Sequence, residues 1–112
     1  DVVLSNGVFH NAYNLNELDK AINEVSRVLK KSGHLCFNLF SSEKVDSFKS
    51  LGDSVYETKE NLIMTLVTSQ EFEDICQKHG LKTESPVIQY QREVTTGMRA
   101  IMRGVMIKTK QF

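Results

Sequence analysis

His10 is the residue of this 112-residue chain whose chemistry is easiest to name. An unperturbed imidazole titrates near neutrality, so His10 is the catalytic candidate, able to take a proton from a substrate. The other role open to it is packing against the next segment with a hydrogen bond to backbone. It stands just behind Ser5, Asn6 and Gly7, small turn-forming residues that let a backbone approach a ligand closely. Tyr13, Asn38, Phe40 and Tyr56 are candidates for the wall of a substrate pocket, with helix stapling open to Tyr13 and core packing to Phe40. Arg92, Arg99 and Arg103, with Lys108 and Lys110, either bind a carboxylate or phosphate or form a solvated strand face.

Several chemistries lack their residues. The histidines have no H-x-x-x-H pair and no flanking Cys or Asp at ligand spacing, so no metal site is expected, and no Ser sits in a G-x-S-x-G elbow. Cys36 and Cys76 read as small buried apolar residues in a reducing compartment, which argues for a cytoplasmic protein. Fourteen basic residues balance fourteen acidic ones. That balance gives no footprint for nucleic acid or an anionic membrane, and no apolar run has the length of a transmembrane helix.

These residues need elements to position them. Val2, Val3 and Leu4 form a short unalternating apolar run, the pattern of a strand buried on both faces. Leu15, Leu18, Ile22, Val25 and Leu29 then recur at three- and four-residue steps and predict an amphipathic helix starting near Leu15. Asn14 with Glu17 forms its N-terminal cap, Tyr13 with Leu18 its hydrophobic staple, and Gly33 its left-handed end, with Lys30 and Lys31 facing the dipole. His34 to Phe40 follows as a second buried strand. A strand, a helix and a strand make a right-handed parallel crossover, which brings Asn38 to Ser42 out beside Ser5 to Phe9 on one crevice.

Beyond Ser41, Val45, Phe48 and Leu51 have the spacing of a short helix, and Val55 to Val67 that of a hairpin or lid with its tip at Lys59, Glu60 and Asn61. Thr68 with Glu71 opens a second capped helix that ends at Gly80. Leu81 to Arg92 reads as extended, with Pro86 at an edge or bulge, and Met102 to Thr109 as the last strand, joined through Thr95, Thr96 and Gly97. A short helix within Gln89 to Arg103 is the alternative.

The opening DVVLSNGVFHN, the Phe9-His10 pair and the helix ending R-V-L-K-x-x-G at Arg27 to Gly33 resemble the fourth strand, following helix and fifth strand of a class I S-adenosylmethionine-dependent methyltransferase of the small-molecule type. That family usually has Pro-Gly where this chain has Lys31 and Ser32. The resemblance extends weakly to VMIKTK at Val105 to Lys110. It implies an α/β, Rossmann-like half-domain: a parallel strand-helix-strand unit plus a C-terminal antiparallel strand pair, in a sheet of about four strands. It also implies S-adenosylmethionine as cofactor, with Ser5, Asn6, Gly7 and Phe9 at its methionyl part, His10 as catalytic residue, and Tyr13, Asn38 and Phe40 toward a small-molecule acceptor.

A methyltransferase domain of this type resembles a chain of roughly two hundred residues. Residues 1–112 are therefore expected to be the C-terminal part of one domain, lacking the N-terminal cofactor-binding half, since no Gly-rich strand-to-helix turn occurs. Alone they are expected to be inactive, and to pair with the missing half or self-associate. The rival expectation is a non-catalytic Rossmann-like binding or structural module.

Overall fold

A computed structural model describes residues 1–45, 48–94 and 97–109. Strand β1 (Val2–Asn6) leads through a single 3-10 turn (Phe9–Asn11) into helix α1 (Leu15–Val28) and strand β2 (His34–Phe40). β1 and β2 pair in parallel, Val2 opposite His34 through Asn6 opposite Asn38. The crossover unit expected from the apolar pattern is thus formed. Asn14 caps α1, its side-chain oxygen accepting the Glu17 N–H at 2.9 Å. Leu18, Ile22 and Leu29 are buried against Leu35, Phe37 and Leu39 of β2, each such side chain contributing roughly 1.5–3 kcal/mol.

Two details of α1 differ from expectation. Tyr13 is 71% exposed and does not staple Leu18, which is fully buried. The helix stops at Leu29, and the left-handed residue is Ser32 (φ 71°). The Gly33 N–H donates to Lys30 O at 2.8 Å, closing a turn whose third position needs positive φ. Gly33 is required for space instead: a Cβ there would lie 2.8 Å from Lys30 O and press on the Asp1 carboxylate.

The remaining elements are β3 (Lys49–Gly52), β4 (Val55–Glu57), β5 (Ile63–Thr65), α2 (Ser69–Lys78), β6 (Leu81–Thr83), β7 (Ile88–Val94) and β8 (Gly97–Lys108). β8 runs antiparallel to β2, with Phe40 opposite Ile101 and His34 opposite Ile107. On its other side it pairs with β6 and β7 in turn, so the main sheet has five strands. The extended segment predicted from Leu81 splits around Pro86, whose missing N–H cannot join a ladder. β8 begins five residues earlier than the Met102 start read from sequence, and Gln89 to Val94 is strand rather than helix. Thr95 and Thr96 of the expected turn, and Lys110, lie outside the described residues.

The short helix expected around Val45 to Leu51 is not formed by its described C-terminal part. Lys49–Gly52 is a strand of a separate three-stranded sheet, β3-β4-β5. Gly52, Asp53 and Ser54 all have positive φ (91°, 51° and 67°) and turn the chain back on itself. Two turns of helix are in any case too short to hold without packing. The hairpin predicted from Val55 is present, with Asn61 at φ 63° in its tip. α2 has the full capping box, Thr68 Oγ1 accepting from Glu71 N at 3.1 Å and Glu71 Oε1 from Thr68 N at 2.9 Å.

Both helices belong to one layer. Phe72 and Cys76 of α2 join Met102 and Met106 of β8 in the core. The opposite sheet face carries Leu4, 76% exposed, and half-buried Cys36 and Val105. Cys36 and Cys76 are free thiols, and burial pushes Cys76 up to about 12. No helix among the described residues is long and apolar enough to cross a membrane.

Candidate functional site

The parallel register makes β1 and β2 end together. The Gly7 N–H donates to Asn38 O at 3.0 Å, extending the ladder one residue past the strand. Asn38 Nδ2 donates to Asn6 Oδ1 at 2.6 Å across it. Gly7 then takes φ 69°, a conformation glycine adopts without steric cost. Asn11 Nδ2 donates back to Gly7 O at 3.2 Å and holds the 3-10 turn against the strand end.

That turn drives Phe9 and His10 inward. The Phe9 ring lies 5.7 Å from that of Phe72 and belongs to the core. The His10 ring stacks on Phe40 at 4.3 Å, the planes 15° apart, and its Nδ1 accepts the Phe40 N–H at 3.1 Å. Burial brings its pKa down from 6.5 to about 4, so the ring is neutral at physiological pH. With Nδ1 used as acceptor, the proton of a neutral imidazole sits on Nε2. His10 therefore presents a donor, and accepting a proton would require giving up the bond to Phe40.

Asn6, Gly7, His10, Asn38 and Phe40 thus converge on one edge, as the crossover topology implies. Around them is a cleft of about 280 Å³ completed by Tyr90 and Arg92 of β7 and Ile101 of β8. Tyr90 was not singled out from sequence. The signal was the two-residue alternation Ile88, Tyr90, Arg92, which puts the three side chains on one sheet face. Tyr13 lies apart from this cleft. With Val3, Ser5, Val8 and Phe9 it lines a larger cavity of about 740 Å³ between β1 and α1. Ser5 is buried, its hydroxyl without a hydrogen-bond partner among the described residues. Tyr56 lies 6.5 Å from Phe48, whose ring carries Arg99 at 4.5 Å.

A methyltransferase-domain family model matches residues 1–37, which include β1, its turn and α1. No curated protein matches the sequence. Among solved structures, an S-adenosylmethionine-dependent methyltransferase from Methanosarcina mazei superposes with a TM-score of 0.80 at 15% identity, over 99% of this chain and 60% of that one. The chain shares the fold of that protein over its matched part. The 1,6-didemethyltoxoflavin-N1-methyltransferase of Burkholderia thailandensis, solved with 1,6-didemethyltoxoflavin and S-adenosylhomocysteine, gives 0.68 at 14% identity over 98% of this chain and 44% of that one. A methyltransferase from Clostridium acetobutylicum gives 0.69 at 12% identity over 98% and 58%. This chain therefore spans between 44% and 60% of the length of these methyltransferases.

Proposed function

We propose that the chain is the C-terminal part of a methyltransferase domain that moves a methyl group from S-adenosylmethionine to a small-molecule acceptor. The observation that carries this reading is the cross-tied strand end, Asn6 against Asn38 with Gly7 at φ 69°; Asn6 and Gly7 lie inside the segment that the family model matches, and Asn38 is the next residue after it. The residues fit the cofactor as one wall of a pocket. A glycine in the left-handed region exposes backbone at the carboxyl end of a parallel strand, and the cleft of about 280 Å³ that Asn6 and Gly7 line opens there, where α/β sheets place ligands. Ser5, Asn6 and Gly7 would hold the methionyl part, with Phe9 supporting the turn from the core side. When bound, S-adenosylmethionine supplies an electrophilic methyl group for in-line displacement.

The chain's own residues supply alignment. The Asn6–Asn38 pair and the His10–Phe40 pair fix the two strand ends relative to each other, and alignment of reactants alone accounts for much of such a rate. Neutral His10 orients an acceptor through its Nε2–H. Asn38 and Phe40, beside His10, face the space an acceptor would occupy, whereas Tyr13, which lines the larger cavity, lies apart from it. Val2 and Leu4, 59% and 76% exposed, mark where the Gly-rich half of the domain would pack against β1, or a second copy in its absence. Two free thiols suit a reducing cytoplasm.

Calorimetric titration with S-adenosylmethionine tests this on the 112-residue chain and on the same protein extended upstream. Binding by the extended protein and not by the shorter one is expected. Failure of the extended protein to bind overturns the function, and micromolar binding by the short chain overturns the division of the pocket.

A further inference from the structure

We infer that the cleft at the ends of β1 and β2 recognises an anionic acceptor, a small molecule carrying a carboxylate, through Arg92. This rests on the reading of the site as a methyltransferase acceptor pocket and narrows its substrate class. The cleft offers the Arg92 guanidinium, the Nε2–H of His10, the Tyr90 hydroxyl and the Asn6 amide as donors beside the Asn38 side-chain oxygen, with no Asp or Glu among the described residues that line it. Asn38 spends its N–H on Asn6, which leaves the Asn6 amide nitrogen to face a ligand. His10 has its acceptor nitrogen occupied by Phe40 N.

The register explains how a cation comes to be there. Phe40, Ile101 and Tyr90 form one row across β2, β8 and β7, and Arg92 follows Tyr90 on the same face, two residues on. It sits directly opposite Arg99, and like charges paired across strands are destabilising. Arg99 is buried, turned to the Phe48 ring at 4.5 Å and the Met98 carbonyl at 2.9 Å. Arg92 is the exposed member of the pair and lines the cleft. An anion there meets a planar fork suited to a carboxylate. Phe40 and Tyr90 flank the position with rings, so an aromatic carboxylate is the natural probe.

The test is an NMR titration of the 15N-labelled chain with benzoate and with its neutral isostere benzamide, following Arg92 Nε–H, His10 Nε2–H and the Gly7 amide. Benzoate should shift all three and bind about tenfold tighter than benzamide, the difference made by one charge-assisted contact. Arg92→Gln should remove that difference, Arg92→Lys should keep part of it, and Lys82→Gln, paired with Ile107 at the opposite end of the sheet, should leave it unchanged. Equal binding of the two probes, or an unaltered benzoate affinity in Arg92→Gln, overturns the proposal. In the upstream-extended protein, S-adenosylhomocysteine should leave benzoate bound, and its displacement would assign the anion site to the cofactor instead. Benzoate binding is read without methyl transfer, so its outcome stands apart from that of the cofactor titration.

Discussion

Asn38 Nδ2 donates to Asn6 Oδ1 at 2.6 Å, across the last paired rung of β1 and β2. The bond is at the solvent-facing end of the sheet, yet the backbone bond from Gly7 to Asn38 lies directly beside it. The side-chain pair therefore keeps the strand end closed where the sheet has no further neighbours.

Asn38→Ala should cost about 0.5–1.5 kcal/mol, the usual net worth of one hydrogen bond. Urea denaturation would measure it, and amide exchange at Gly7 should rise. Because Asn6→Ala removes the same bond, the double variant should lose less than the sum of the two single losses. Strict additivity in that cycle would show the pair to be uncoupled.

A second contact sits at the other end of α1. The Lys108 ammonium is buried and donates to Leu29 O at 2.7 Å and to Ser26 O. These are carbonyls that the helix end leaves unpaired. Lys30 and Lys31, which the sequence assigns to the helix dipole, are exposed. Lys108→Met keeps the length of the side chain and orphans both carbonyls, so it should destabilise by about 2–4 kcal/mol. A shift in urea midpoint at unchanged slope would establish it, and a change under 1 kcal/mol would show that water replaces the ammonium.

Ser32 at φ 71° carries the left-handed strain that a side chain imposes. Ser32→Gly should relieve about 1–2 kcal/mol of that strain and lose part of it to unfolded-chain freedom, a net gain of roughly 0.5–1 kcal/mol. Gly33→Ala should do the reverse, since its Cβ would crowd Lys30 O at 2.8 Å. Thermal melts of the two variants should move in opposite directions, and movement in the same direction would refute the assignment of roles in this turn.

The legible parts of the fold are those whose signal is local. Leu15 to Leu29 repeats at helical steps, Asn14 and Thr68 are caps with their partners three residues on, and the parallel crossover follows from helix length and chain handedness. The convergence of Gly7 on Asn38 came with that topology. What was not legible depends on contacts distant in sequence. Lys108 looks like one more surface base until β8 runs beneath the end of α1, 79 residues away from Leu29. Ser32 replaces glycine at a position where pattern alone points to Gly33. Val45, Phe48 and Leu51 have helical spacing, but pairing of Lys49–Gly52 with β4 decides the state of that stretch. Tyr90 reaches the cleft only because β8 lies between β7 and β2.

His10 gives the molecule a pH dependence with a definite sign. In the unfolded chain its imidazole titrates at the ordinary value of 6.5, whereas burial in the folded state brings the pKa down to about 4. Between those values the unfolded chain binds more protons, so stability rises with pH through that window and falls as the solution is acidified. The loss attributable to His10 between pH 7 and pH 5 should be about 2 kcal/mol, at 1.36 kcal/mol for each pH unit in the window. Asp19, whose carboxyl is held below its ordinary range by hydrogen bonds from Lys78 and His79, loses its contribution only as the pH falls below the usual carboxylate range. The two steps are therefore separable. Urea denaturation at half-unit intervals should show the upper step in the wild-type chain and its absence in His10→Gln, and a titration of the His10 Cε1 proton reads the folded pKa without any variant. An imidazole that titrates near 6.5 in the folded chain would show that the stack on Phe40 opens to solvent, and with it the donor on which the cleft depends.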